Sequence, residues 1–157
     1  MSRSSVIFII VLITSQAVNA QDQWKSVKQV DDMTGIKSTI SWQESDDGKG
    51  VIRFGCQNKE LFLNFLGDRF LTDYGGPRTL FKIDSNETIK PSTSISTTYT
   101  SVIISNWKNK LDLIVSQIKA GNKLKIRTYN YQKVSQDYLF ELKGSAKHIS
   151  KVLNDCL

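Results

Sequence analysis

Two cysteines constrain the fold of this 157-residue chain more than any other feature. Cys56 lies near the middle of the chain, where Ile52, Phe54 and Cys56 share one face of a strand-like segment by period-two spacing. Cys156 lies on the apolar stripe of a helix-like segment about 100 residues later. Both thiols are therefore expected to face a hydrophobic core.

The first twenty residues have the pattern of a secretory signal peptide. Arg3 supplies a positive charge, Val6 to Ile13 form an apolar stretch, and Val18-Asn19-Ala20 places small residues at a cleavage site. We expect cleavage after Ala20. The alternative is a membrane anchor, but the stretch is much shorter than the ~20 residues that a spanning helix needs.

Residues 21–157 then form a single domain in the periplasm or in the secreted fraction, with no transmembrane segment after cleavage. In such an oxidising compartment, two core-facing cysteines predict a disulfide bond between Cys56 and Cys156. Two free buried thiols are the alternative. The bond would tie the last helix of the domain to a central strand.

The pattern of the mature chain predicts a single α+β domain of antiparallel β-structure, meander or sandwich-like, with two packed helices, of which the C-terminal one is linked to the sheet by the disulfide. The predicted strands are Trp24 to Val30, Ile36 to Trp42, Val51 to Gln57, Leu61 to Leu66, Thr79 to Asp84, Lys123 to Tyr131 and Tyr138 to Leu142. The Ser- and Thr-rich segment 92–101 predicts an exposed loop or edge strand.

Helical spacing marks the two helices. The first is predicted to bury Leu111, Ile114, Val115 and Ile118 and to end at Gly121. In the second, Ser145 is expected to cap the N-terminus. Its apolar stripe comprises Ala146, Ile149, Val152, Leu153 and Cys156.

Together these features resemble a group of small exported proteins of Gram-negative bacteria. The resemblance is carried by Trp24, Asp31-Asp32-Met33-Thr34-Gly35, Arg53-Phe54-Gly55-Cys56, and Phe140-Glu141-Leu142-Lys143-Gly144 before a helix ending in Cys156. The group includes VasI-like accessory proteins of type VI secretion clusters and similar invasion-associated or prophage-encoded periplasmic proteins. It implies an antiparallel sheet with packed helices and a disulfide, and it brings no established catalytic residues.

The sequence offers little material for catalysis. Its one histidine, His148, lies on the last helix, and any Ser-His-Asp or Cys-His arrangement would have to use it. One histidine and two disulfide-bonded cysteines do not form a zinc site. The acidic pairs Asp31-Asp32 and Asp46-Asp47 lack the spacing of a calcium loop and fit turns. We therefore expect a protein that is not an enzyme and has no cofactor.

One basic segment predicts binding. The chain carries a formal net charge of +6, and seven cations between residues 107 and 133 face a single acid, Asp112. Five residues of this segment would share one face of a strand by alternation, namely Lys123, Lys125, Arg127, Tyr129 and Tyr131. Charge and ring stacking on this strip would suit an anionic partner. The alternative is a solvated strand face, partly neutralised by Glu141 on the neighbouring strand.

We therefore expect an exported binding protein of the bacterial envelope, whose partner is an envelope protein or an anionic envelope component. Nucleic acid is disfavoured as a partner, because export separates the protein from cytoplasmic DNA and RNA. The alternative is an inhibitor or immunity protein directed at a wall-degrading or toxin enzyme. Either Tyr74-Gly75-Gly76-Pro77 or the loop 46–50 would then enter the active site of that enzyme.

Overall fold

The computed structural model describes residues 23–68, 79–96, 100–104, 110–130 and 132–156. The predicted leader, the Tyr74-Gly75-Gly76-Pro77 turn and Tyr131 lie outside these ranges. Within them the elements are β1 (Lys25–Val30), β2 (Lys37–Glu44), β3 (Val51–Gln57), β4 (Glu60–Leu66), β5 (Thr79–Ile83), β6 (Ser94–Ile95), β7 (Ser101–Ile104), α1 (Leu111–Ala120), β8 (Lys123–Tyr129), β9 (Ser135–Glu141) and α2 (Ser145–Cys156). The predicted α+β class is confirmed. No helix of the described ranges is long and apolar enough to cross a bilayer.

The strands pair antiparallel throughout these ranges and divide between two sheets. One sheet has the order β1-β2-β3-β4-β7-β6, and the other has the order β5-β8-β9. The first four strands form the expected meander. β5 leaves it and pairs with β8, more than forty residues later in the chain. The Ser- and Thr-rich segment contributes β6 at the edge of the larger sheet, as expected.

A two-residue turn joins β3 to β4. Asn58 and Lys59 have φ angles of 51° and 64°, and Gln57 pairs with Glu60 across the turn. Positive φ at both central positions is the conformation of a type I′ hairpin, whose twist matches that of the strands. The turn displays the Lys59 side chain at the end of the larger sheet.

The core lies between the inner faces of the sheets and the two helices. Ile52, Phe54 and Cys56 are buried on one face of β3, as predicted. The predicted residues of α1 are also buried, namely Leu111, Ile114, Val115 and Ile118. On α2, Ile149, Val152 and Cys156 are buried, but Ala146 is exposed.

Ser145 does not cap α2 as predicted. Its hydroxyl donates to the carbonyl oxygen of Ile118 at 2.7 Å, and the side chain is buried. The N–H groups of Lys147 and His148 instead donate to the carbonyl of Gly144. Ser145 therefore ties the start of α2 to the end of α1, a contact that only the tertiary fold creates.

The predicted disulfide is confirmed. Cys56 and Cys156 are bonded, with their Cα atoms 5.6 Å apart and 100 positions apart in the chain. Both cysteines are buried, at 5% and 8% exposure. The bond joins the last residue of α2 to the inner face of β3.

The helix α2 also lies over a row of polar side chains on β2. Thr39, Ser41 and Gln43 face inward and are at most 4% exposed. Thr39 donates to the carboxylate of Asp155 at 3.1 Å, and Ser41 donates to the carbonyl of His148 at 3.0 Å. Since a buried hydroxyl without a partner is costly, these bonds select where α2 rests on the sheet.

Candidate functional site

The predicted binding strip lies on the outer face of β8. Lys123 and Lys125 are exposed, Arg127 and Tyr129 are half-buried, and the residues between them point into the core. The alternation that placed these four side chains on one face is therefore as expected. Tyr131, the fifth member of the strip, is not among the described residues.

Two acids on β9 pair with the three described cations of this strip. Arg127 donates to both carboxylate oxygens of Asp137, at 2.5 and 2.7 Å. The ammonium group of Lys125 lies 3.7 Å from the same carboxylate, and that of Lys123 lies 3.2 Å from Glu141. Hydrogen bonds and charge from Arg127, with a smaller contribution from Lys125, hold the pKa of Asp137 below its usual value. The described part of the strip therefore presents paired charges, with one net positive charge left over because Lys125 and Arg127 share Asp137.

The structure gives His148 a partner that the sequence analysis did not find. Its Nδ1 atom lies 2.6 Å from the Ser26 hydroxyl oxygen, which is 2.7 Å from the hydroxyl oxygen of Ser41. Ser41 in turn donates to the backbone carbonyl of His148. β1, β2 and α2 thus meet in a closed ring of hydrogen bonds.

The directions of these hydrogen bonds determine whether His148 can act as a base toward Ser26. Ser41 donates its single hydroxyl proton to the carbonyl of His148. In the bond between the two serines, Ser26 must therefore be the donor and Ser41 the acceptor. Ser26 then has no proton left for the imidazole, and Nδ1 of His148 must carry a proton and donate it. A general base needs the opposite arrangement, in which the ring nitrogen accepts from the hydroxyl. The hydrogen bonds among Ser26, Ser41 and His148 therefore hold α2 against the sheet and do not activate Ser26.

The acidic pairs serve turns, as expected. Asp31 accepts hydrogen bonds from the N–H groups of Met33 and Thr34 at 3.0 and 2.7 Å. In the loop 46–50, Asp47 accepts from the hydroxyl of Ser45 at 2.7 Å. Across the part of the chain that the structure describes, no group of three or more metal-binding side chains comes together.

A cleft of about 540 Å³ opens beyond the end of α2. Thr39 contacts Asp155 in the last turn of the helix, so Lys37 and Val30, two positions further along the β1–β2 hairpin, lie past its last described residue. Cys56 forms part of the cleft floor, so the disulfide lies beneath it. The cleft is therefore an extension of the inner sheet face that α2, as far as the structure describes it, does not cover.

Three lysines and one acid line this cleft, namely Lys28, Lys37, Lys59 and Asp155. The ammonium group of Lys28 lies 2.6 Å from the Asp155 carboxylate and is the main cause of the lowered pKa of Asp155. A carboxylate in the last turn of a helix opposes the helix dipole, and Lys28 compensates for it.

Lys37 and Lys59 differ from Lys28 in having no counter-ion among the residues that the structure describes. No carboxylate of the described ranges lies within ion-pair distance of either ammonium group. The sequence pattern does not mark Lys37 and Lys59 as a site, because they are 22 positions apart and lie outside the basic segment 107–133. The hairpin register and the β3–β4 turn bring them to one cleft, and no local pattern signals that juxtaposition.

Comparison of the chain with models of protein families, with curated proteins and with solved structures finds no match. The resemblance to VasI-like proteins therefore depends on the sequence features that carry it. The chemistry of the cleft, the strip and the histidine ring supplies the basis for a function.

Proposed function

We propose that this protein is an exported, non-enzymatic binding protein of the bacterial envelope that recognises an anionic partner. The observation that carries the proposal is the pair of lysines at the cleft, Lys37 and Lys59, whose charges no carboxylate of the described residues balances. The disulfide suits a compartment outside the cytoplasm, where the predicted leader would direct the chain. An accessory role in secretion or in a prophage is the setting that the resemblance to VasI-like proteins suggests.

The cleft is a better anion site than the strip because of how its charges are balanced. An incoming anion at the strip would have to compete with Asp137 and Glu141, which already contact the three cations. At the cleft, Lys28 and Asp155 neutralise each other, and no carboxylate of the described ranges neutralises Lys37 or Lys59. Charge-assisted hydrogen bonds from two ammonium groups are among the stronger polar contacts that a protein can offer an anion.

The proton arrangement at His148 supports a binding role rather than hydrolysis. A serine nucleophile needs a base that can take its proton, and His148 donates to Ser26 instead.

The alternative, an inhibitor or immunity protein, calls for a loop that projects from the domain. The loop 46–50 is held down, because the N–H of Asp46 donates to the carbonyl of Leu139 on β9 at 2.8 Å. Its other end is closed by a hydrogen bond from the N–H of Gly50 to the hydroxyl of Ser45. The second loop considered, Tyr74-Gly75-Gly76-Pro77, is outside the described residues. The geometry favours binding at the cleft over insertion of loop 46–50.

Co-sedimentation tests the proposal. Purified protein is mixed with outer-membrane vesicles, lipopolysaccharide or peptidoglycan, and the bound fraction is measured at low and high salt. We expect binding to an anionic fraction that weakens as salt rises, because salt screens exposed charges. The double variant Lys37→Glu/Lys59→Glu should lose this binding.

The matched control reverses Lys82 and Lys90, two exposed lysines without an ion pair among the described residues. The Lys82→Glu/Lys90→Glu variant has the same net charge as the cleft variant and should keep binding. Absence of binding to every fraction at low salt would contradict the proposed function. Equal loss in both variants would mean that net charge, and not the cleft, drives association.

A further inference from the structure

The chemistry of the cleft specifies the class of ligand, an inference that rests on the proposed function. We infer that the cleft binds a small amphiphilic anion, consisting of a carboxylate or phosphate head group on a short apolar body. The cationic rim would hold the head group, and the disulfide floor with its apolar neighbours would hold the body. A wholly polar anion would leave the apolar part of the cleft unused.

Lys37 and Lys59 would contact the head group of the ligand. Lys37 opens β2, and Lys59 is the second residue of the tight β3–β4 turn, where its backbone is held at a φ of 64°. Asn58, the neighbour of Lys59, also lines the cleft and can donate further hydrogen bonds. Two ammonium groups with a polar neighbour match the several acceptor oxygens of a carboxylate or a phosphate.

The apolar lining of the cleft comes from Val30, which lies directly opposite Lys37 in the hairpin, from Ile36 and from the disulfide. Val30 lies on the inner side of β1 yet is 63% exposed, because the hairpin continues past the end of α2. Ile36 is half-buried beside it, and Cys56 closes the floor. Covering this surface with a short hydrocarbon would remove apolar area from water, which is favourable.

The size and rim of the cleft favour a small molecule over a membrane surface. A volume of about 540 Å³ lies in the range of ligand pockets. At the tip of the same hairpin, Asp31 and Asp32 are exposed beside Met33, which is 92% exposed. An anionic bilayer that met Met33 would also meet both carboxylates, so a flat lipid surface would be repelled where a single molecule in the cleft would not.

Titration calorimetry with four probes tests the inference. The probes are octyl phosphate and octanoate, each below its micelle concentration, with inorganic phosphate and the uncharged octyl glucoside. We expect both charged amphiphiles to bind more tightly than inorganic phosphate, which lacks the apolar body, and than octyl glucoside, which lacks the charge. A preference between octyl phosphate and octanoate would identify the head group.

Two variants address the charged and the apolar groups of the cleft. Lys37→Glu/Lys59→Glu and Val30→Asp should each weaken binding of the charged amphiphiles by about tenfold or more, equivalent to at least about 1.4 kcal/mol. The Lys82→Glu/Lys90→Glu variant should bind as the wild type does. All three change exposed side chains, and thermal unfolding followed by circular dichroism confirms that each variant is folded.

Three results would overturn the inference. They are charged amphiphiles that bind no more tightly than octyl glucoside, cleft variants that bind as the wild type does, and sedimentation with phosphatidylglycerol vesicles that the cleft variant abolishes. The third would replace the small ligand with a membrane surface. Envelope co-sedimentation is scored separately, so a negative calorimetric result with intact envelope binding removes the ligand class and leaves the proposed function standing.

Discussion

Gly50 lies against the ring of Tyr138, and a Cβ atom at residue 50 would come within 2.7 Å of the tyrosine Cδ1. Gly50 directly precedes β3 in the larger sheet, and Tyr138 belongs to β9 in the smaller one. The tyrosine is 1% exposed, and its ring packs against Phe65 with a centroid separation of 4.8 Å. The absence of a side chain at residue 50 therefore sets how closely the two sheets approach.

We expect Gly50→Ala to lower the free energy of unfolding by about 2–3 kcal/mol, the upper part of the range for overpacked cores. Tyr138 is enclosed and cannot move aside. At Gly55 the clashing group would be the Phe62 ring, which is half-buried on the outer sheet face and can pivot outward. Gly55→Ala should then cost only about 1 kcal/mol. Urea unfolding of both variants measures the difference, and equal costs would contradict this account.

Removal of the disulfide should destabilise the domain strongly. A closed loop of about 100 residues stabilises a fold by up to ~4.7 kcal/mol in the chain-entropy model. We expect the Cys56→Ser/Cys156→Ser variant to melt far below the wild type in thermal unfolding. The wild type in a strong reductant should then approach the variant. An unchanged melting temperature in the variant would show that the bond does not stabilise the domain.

The acids of β9 should mask the predicted strip. Asp137 and Glu141 offset two of the three positive charges of Lys123, Lys125 and Arg127, so Asp137→Asn/Glu141→Gln should make all three available to an external polyanion. We expect this variant to elute from a heparin column at higher salt than the wild type. Asp112→Asn/Glu87→Gln has the same net charge and changes exposed acids elsewhere. Similar retention of the two variants would mean that only the net charge matters.

Acid should weaken the contact between β1 and α2. The pKa of Asp155 is below its ordinary value of 3.8, chiefly through Lys28, so the folded state holds its proton less tightly than the unfolded state does. The stabilisation is therefore present above pH 3.8 and is lost as pH falls below it. We expect Asp155→Asn to lose less stability than the wild type when urea unfolding is moved from neutral pH to below 3.8. A Glu87→Gln control should follow the wild type.

The neutral form of His148 should carry its proton on Nδ1. The ring of bonds through Ser26 and Ser41 requires a donor at that atom. Long-range ¹H–¹⁵N correlation spectra at alkaline pH report the tautomer directly. We expect Ser41→Ala to remove this requirement, because Ser26 can then donate to the imidazole. A proton on Nε2 alone in the wild type would contradict the proposed direction of the bonds.

Local pattern was sufficient to predict much of the fold. Period-two spacing placed Cys56 on the inner face of β3, and helical spacing placed Cys156 on the buried stripe of α2, so the disulfide followed from two independent periodicities. The division into two sheets could not be read in this way, because β5 pairs with a strand more than forty residues away. Pairing over that distance depends on the whole fold and leaves no mark in either segment.

The site depended even more on tertiary contacts. The sequence pattern predicts the cations of the strip and Glu141 as their neighbour. It does not predict Asp137 as a partner, because the register that sets Asp137 opposite Arg127 cannot be derived from the sequence. The Ser26 partner of His148 lies 122 positions away in the chain. The sequence predicts that Ser145 caps α2, but the end of α1 lies close enough for the Ile118 carbonyl to accept the hydrogen bond of the Ser145 hydroxyl.

The buried polar side chains of β2 restrict the positions that α2 can take on the sheet. A helix resting on an apolar sheet can slide or roll between packings of similar energy, because dispersion contacts have little direction. On Thr39 and Ser41, a shift of α2 by one residue would break hydrogen bonds to Asp155 and His148 with no replacement at hand. The translational register of the helix is thereby discrete. Together with the Cys56–Cys156 bond, these two hydroxyl groups set where α2 lies on the sheet.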